Sequence, residues 1–190
     1  MEPNTTRRNL LDAANRVVAK EGVAKLTLEA VAKEAGMSKG TVLYHFHTKD
    51  ALIEAMVDHL VARFEANYQE QALAWEEDVT AGHWLRAMIR AQPSPGTDAA
   101  DPSAAMIAAV GIKPELLGGL RERYAVWQRQ IVDDGLDPAL ATVLRLACDG
   151  LWFCEVLGFA PPTGVLRDQV IAQMLALAAP DAASREDEKE

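Results

Sequence analysis

Thr27–Lys49, TLEAVAKEAGMSKGTVLYHFHTK, is the stretch whose reading decides the fold. Thr27 is a helix-capping residue type, and Leu28, Val31, Ala32 and Ala35 follow it at helical spacing. Gly36 then interrupts the pattern. Folding one helix tightly onto the next calls for a left-handed residue, which glycine adopts without steric cost. Ser38 caps a short third helix that the spacing extends through Phe46. With Val42 as origin and about 100° per residue, Phe46 falls near 40° and Leu43 near 100°, one apolar side turned inward. Gly40, Thr41, Tyr44 and His45 fill the arc from about 160° to about 300°. A short helix anchored on one side and small or polar on the other has the form that lies in a DNA major groove. The same pattern also fits a capped helical hairpin with a solvated face.

Within that arc, reach assigns roles. Lys39 and Thr41 stand near the helix start, where a lysine can bond guanine O6/N7 and a threonine methyl can meet a thymine methyl. Gly40 lets the backbone come close. Tyr44, His45 and Lys49 are placed for phosphates, and Thr27, Ser38 and Thr48 sit at helix starts that offer hydroxyls and free backbone N–H groups.

Outward from this unit the chain reads as helical almost throughout, an all-α protein. A first helix runs from about Thr5 to Lys20, with Leu10, Leu11, Ala14, Val17 and Val18 inward, a cap among Asn4, Thr5 and Thr6, and a stop at Gly22. Thr48 opens a longer helix with Leu52, Ala55, Met56, Leu60 and Phe64 inward, reaching about Trp75. Further helices are predicted near residues 80–92, 103–110, 113–133, 137–159 and 164–178. Residues 92–102, QPSPGTDAADP, read as a loop, and the acidic tail 181–190, lacking large apolar residues, as disordered.

Charge divides the 190 residues unevenly. Residues 1–50 hold 8 Lys or Arg against 6 Asp or Glu, and residues 51–190 hold 11 against 22, within a net charge of −9. If either part meets phosphates, it is the mildly basic head. The N-terminus shows no secretory pattern and no run of about 18 uncharged apolar residues exists, so the expected location is cytoplasmic, with no membrane partner. Cys148 and Cys154 would point about 120° apart on one helix and cannot bridge within it; they read as small core residues. His45, His47, His59 and His83 form no i, i+4 metal pair, no phosphate-binding glycine loop is present, and no catalytic residue, metal or cofactor is expected.

The run LTLEAVAKEAGMSKGTVLYHFHTKDALIEAM, with Ser38, Gly40-Thr41, Tyr44-His45-Phe46, Lys49 and Leu52 in register, resembles the DNA-binding domain of the TetR family of bacterial transcriptional regulators. The resemblance covers Asn4 to Arg63. Many members carry a tyrosine where this chain has Leu43, so a phosphate contact expected from that tyrosine falls to Tyr44. The resemblance implies a DNA-binding domain at 4–64, with its helix-turn-helix at 27–46, and a larger helical effector-binding and dimerisation domain at 65–180. It further implies a homodimer on a near-palindromic double-stranded operator, acting as a repressor released by a small apolar or amphipathic effector.

Residues 65–190 carry no comparable fingerprint, and their pattern is compatible with both tasks. On the helix at 137–159 one stripe is Leu136, Leu140, Val143, Leu144, Ala147 and Leu151, and a second holds Leu146, Gly150, Phe153 and Leu157. A helix apolar on two sides needs cover on two sides, either inside a monomer or from a symmetry mate. With Val170 and Met174 of the last helix, Leu146, Gly150 and Leu157 of the second stripe form the candidate dimer interface. Trp84, Met88, Met106, Tyr124, Trp127, Trp152 and Phe153 are candidate ligand-lining residues with Asp149 as a polar anchor, alongside Arg121, Arg123 and Glu155. Plain core packing and an ordinary salt bridge fit these residues as well. Two rivals remain: a regulator without a small-molecule effector, and a helical interaction module whose DNA head is inactive.

Overall fold

A computed structural model describes residues 3–74, 80–93 and 113–180. Among them are eight α-helices and no strand: α1 (Pro3–Glu21), α2 (Leu28–Ala35), α3 (Lys39–His45), α4 (Lys49–Ala74), α5 (His83–Arg90), α6 (Gly118–Val132), α7 (Pro138–Leu157) and α8 (Gly164–Leu177). Short 3-10 turns at Val23–Lys25 and Pro114–Leu117 precede α2 and α6. Met106, the helix expected at 103–110, Trp75, the Asn4 side chain and the tail 181–190 lie outside the described residues. None of the described helices is long and apolar enough to cross a membrane.

The described residues group into two compact units. The first comprises residues 3–63 and 113–123, and the second residues 64–74, 80–93 and 124–180. The expected boundary at 64/65 sits beside this division at Arg63/Phe64, but residues 113–123 group with the head and not with the body.

In the first unit, α1 packs chiefly on α2. Leu10, Leu11, Ala14, Val17 and Val18 are all buried, as the helical spacing predicts. They meet a core that includes Leu26, Val31, Val42, Phe46, Leu52, Ile53, Met56 and Val57. Each large apolar side chain so buried contributes about 1.5–3 kcal/mol against exposure. Leu43 departs from expectation: it is 39% exposed, because a seven-residue helix has room for only one apolar row, and Val42 with Phe46 occupies it. Near the start of α6, Leu116 and Leu120 are buried and Lys113 Nζ lies 3.1 Å from Asp50 Oδ2.

The second unit is organised around α5, which packs on α7 and α8. Leu85, Ala87, Met88 and Ile89 are buried, and so is Arg86. The Arg86 guanidinium donates from Nη1 to the carbonyls of Ala81 (2.6 Å) and Ala178 (2.9 Å), and from Nη2 to Thr80 Oγ1 (2.9 Å). It thereby ties the start of α5 to the carbonyl that ends α8. Gly82 is required at this joint: its φ is +82°, and a Cβ there would stand 2.4 Å from the Ala178 carbonyl oxygen. The Gly82 N–H donates to the Asp134 carbonyl (2.7 Å), and the Leu85 N–H to Asp134 Oδ2 (3.1 Å).

On α7 the buried residues are Ala141, Leu144, Cys148 and Leu151. The inward face is thus rotated from the stripe read off the sequence, and Val143 and Ala147 are exposed. Leu146, Phe153 and Leu157 stay exposed along one row of α7, and Val165, Leu166 and Leu177 are exposed on α8. Met174, expected at the dimer interface, is only 5% exposed and belongs to the protomer core; Val170 is half-buried.

Candidate nucleic-acid interface and interior polar cluster

Three hydroxyl caps start the helices of the head. Thr27 Oγ1 accepts from the Ala30 N–H, Ser38 Oγ from the Thr41 N–H and Thr48 Oγ1 from the Ala51 N–H, each at 3.0 Å. Such a cap contributes about 1 kcal/mol. Each cap also fixes its hydroxyl oxygen at the helix start, and Ser38 Oγ lies a further 2.9 Å from Thr41 Oγ1, so these two hydroxyls share a hydrogen bond. Gly36 is left-handed, at φ 64° and ψ 30°, which turns α2 into α3, and the Met37 N–H closes the turn on the Ala32 carbonyl at 2.9 Å.

This frame leaves one surface open. Lys39 and Gly40 are exposed, Tyr44 is 76% exposed, and Thr41 and His45 are half-buried. The His45 ring meets the Tyr44 ring edge-on at 5.1 Å, which steadies the last turn of α3. Lys39 Nζ is 3.5 Å from Glu29 Oε2 in an exposed pair, a contact that costs about 0–1 kcal/mol to give up. Lys49 Nζ reaches the Val23 carbonyl at 3.5 Å, so it also braces the loop before α2. Arg16 and Lys20 both bond Glu34, whose carboxyl they hold below its ordinary pKa.

The second unit brings together residues that the sequence placed far apart. Tyr124 Oη donates to Asp149 Oδ1 at 3.1 Å, Arg145 Nη1 donates to Asp149 Oδ2, and Arg145 Cζ lies 5.8 Å from the centre of the Tyr124 ring. Burial raises the Asp149 carboxyl above its ordinary range, against the opposing pull of Arg145 and the Tyr124 hydrogen bond. Burial likewise raises the Tyr124 phenol, helped by Asp149. Tyr124 stacks edge-on with Trp127 at 5.3 Å, Trp127 meets Phe64 at 5.0 Å, and Trp127 Nε1 donates to Glu65 Oε2 at 2.9 Å. Arg145, Gln128 and Thr142 were not singled out from the sequence. The signal available was placement on the helical period: Gln128 is one turn from Tyr124, and Arg145 and Thr142 are one and two turns from Asp149.

Other predicted ligand residues separate from this cluster. Met88 is core, and half-buried Trp84 stacks with Tyr68 at 5.7 Å. Phe153 is 46% exposed beside half-buried Trp152, on the open face of α7. Glu155 is taken by Arg167 at 2.6 Å, and Arg121 by the Pro114 carbonyl at 3.0 Å.

Residues 82–179 match the tetracyclin repressor-like C-terminal domain, and residues 10–56 match the family of bacterial regulatory proteins of the tetR type. The chain belongs to the TetR family. The regulator TtgR of Pseudomonas putida is 39% identical over 59 residues, 31% of this chain and 28% of that protein. The regulator BetI of Ectopseudomonas mendocina is 34% identical over 83 residues, 44% of this chain and 42% of that protein. These matches therefore span less than half the length of either relative. Whole-chain likeness comes from solved structures. A Rhodococcus sp. protein assigned to the TetR family covers 92% of this chain and 97% of its own, at 20% identity and a TM-score of 0.72. The multidrug binding protein EbrR, complexed with imidazole, covers 95% and 93% at 26% identity and 0.60. Within the TetR frame, α2–Gly36–α3 is the helix-turn-helix, and Leu43 stands where many members carry tyrosine. Its exposure leaves its neighbour Tyr44 as the largest side chain presented by α3.

Proposed function

We propose that this TetR-family chain is a homodimeric, sequence-specific DNA-binding regulator. It acts as a cytoplasmic repressor that a small apolar or amphipathic effector releases from a near-palindromic operator. The observation that carries the reading is the α3 surface: Lys39, Gly40 and Tyr44 exposed on a helix locked from behind by Val42 and Phe46 and flanked by three hydroxyl caps. In this reading residues 4–64 are the DNA-binding domain and residues 65–180 the effector and dimerisation domain. Lys39 and Thr41 meet base edges, while Tyr44, His45, Lys49 and the caps Thr27, Ser38 and Thr48 meet phosphates. The exposed row Leu146, Gly150, Phe153 and Leu157 of α7, with Leu166 and Val170 of α8, is covered by a second copy. Two α3 helices then enter successive major grooves about 34–36 Å apart. Tyr124, Trp127 and Asp149 contact the effector, which acts by binding one of two states more tightly than the other. EbrR, whose structure contains imidazole, supports an effector role for the body.

The test is selection from sheared genomic DNA at near-physiological salt, followed by titration of the retained site. Enrichment of a near-palindrome, with Lys39→Ala losing about 1–3 kcal/mol of operator affinity, is the expected result. Retention that depends on salt but not on sequence would refute it and favour an interaction module with an inactive head.

A further inference from the structure

The polar cluster of the second unit has a chemical signature, and it deepens the effector reading on which it rests. Arg145 and Asp149 carry opposite charges in direct contact, so the pair presents no net charge to a ligand. The Asp149 oxygens are engaged by Arg145 and Tyr124. Among the described residues, two buried polar atoms of this cluster nevertheless have no hydrogen-bond partner: Arg145 Nε, a donor, and Gln128 Oε1, an acceptor.

The orientation of Gln128 is not arbitrary. The Thr142 hydroxyl donates to the Pro138 carbonyl at 2.7 Å, so its oxygen has only lone pairs left to offer. Gln128 Nε2 donates to that oxygen at 2.8 Å, which turns Oε1 away from Thr142. Gln128 lies one turn beyond Tyr124 on α6, and Arg145 lies three residues beyond Thr142 on α7. The orphan donor and the orphan acceptor are therefore about one helical turn apart along the same pair of helices. The Arg145 guanidinium carbon lies 5.8 Å from the centre of the Tyr124 ring, and that ring meets Trp127 edge-on. Leaving two such atoms unmet is costly, and a ligand that meets both recovers that cost.

We propose that the effector is an uncharged aromatic molecule carrying both a carbonyl and a hydroxyl or amide N–H. Its carbonyl accepts from Arg145 Nε, its donor meets Gln128 Oε1, and its ring packs on Tyr124 and Trp127. A permanent cation gains nothing here, because Arg145 already holds Asp149. An aromatic carboxylate must compete with Asp149 for Arg145 and strand a buried carboxylate.

The test uses the full-length protein and three probes followed by tryptophan fluorescence: 4-hydroxybenzanilide (neutral), benzoate (anion) and ethidium (cation). The neutral probe is expected to saturate and to bind at least about tenfold more tightly than either ion. Gln128→Leu is expected to weaken it by roughly tenfold while retaining the wild-type melting temperature. A double variant, Arg145→Met with Asp149→Leu, removes the donor without stranding a charge and is expected to weaken it similarly. Preferential binding of ethidium or benzoate, no binding of 4-hydroxybenzanilide, or unchanged affinity in both folded variants would overturn the proposal. DNA selection run in parallel separates the two readings. A protein that selects an operator yet prefers ethidium loses only the effector chemistry. A protein that takes the neutral probe but selects no site loses only the regulator reading.

Discussion

Replacing Arg86 by methionine removes a guanidinium and keeps most of its stem volume. Arg86 is 5% exposed and bonds the Ala81 carbonyl, the Ala178 carbonyl and Thr80 Oγ1, all within 2.9 Å. A hydrogen bond from a charged donor contributes about 1.5–3 kcal/mol. The three do not simply add, because methionine also relieves the desolvation of a buried charge. What the variant leaves behind is two carbonyls and a hydroxyl without their donor, at about 1–3 kcal/mol for each that stays buried and unmet, so a net loss of about 3 kcal/mol is expected. Against a total stability of about 5–15 kcal/mol it is large. Urea unfolding followed by circular dichroism, at one fixed protein concentration, measures it, and amide exchange around residues 174–178 localises it. Arg86→Lys keeps the charge but cannot span three acceptors, so an intermediate loss is expected. A methionine variant within about 1 kcal/mol of wild type (about a fivefold change in the folding equilibrium) would refute the clamp. A lysine variant equal to wild type would reduce it to a charge effect.

Gly82→Ala is expected to cost more than the ordinary Gly→Ala penalty at positive φ, about 1 kcal/mol, because its methyl meets the Ala178 carbonyl oxygen at 2.4 Å; a drop in melting temperature checks this. Leu146→Glu on the open face of α7 is expected to leave the protomer folded and shift sedimentation toward monomer, whereas an unchanged dimer would move the interface elsewhere. His59 has its pKa lowered from 6.5, chiefly by burial; Arg63, Arg8 and Arg7 also lower it, and Asp12 opposes them. Its contribution to stability is therefore present above pH 6.5 and lost as pH falls through the lower folded value. A histidine titration by NMR with a midpoint at or above 6.5 would contradict that.

The head was legible because its devices are local. Thr27, Ser38 and Thr48 cap residues three positions ahead, and Gly36 turns where the apolar period breaks; a short window contains each whole device. The body was legible only as helices. α7 is apolar over more than one side, and packing against α5 selects Ala141, Leu144, Cys148 and Leu151, a choice that periodicity alone leaves open. Met174 was misplaced for the same reason. Arg86, inside HWLRAMIR, drew no reading from the sequence, since the acceptor it ties to α5 from α8, the Ala178 carbonyl, lies 92 residues away. Tyr124 and Asp149 were singled out separately, but their pairing spans 25 residues and two helices.

The two cysteines of α7 differ in a way that makes the helix self-reporting. Cys148 is 1% exposed and burial pushes its thiol up to about 12, while Cys154, six residues on, is half-buried. Burial both hides the Cys148 sulfur and disfavours its thiolate, so an alkylating reagent finds little to attack while the helix stays seated. Slow modification of Cys148 under excess reagent then becomes a clock for the opening of α7. Run with and without a bound small molecule, that clock measures how firmly the molecule closes the body around itself, without any engineered label.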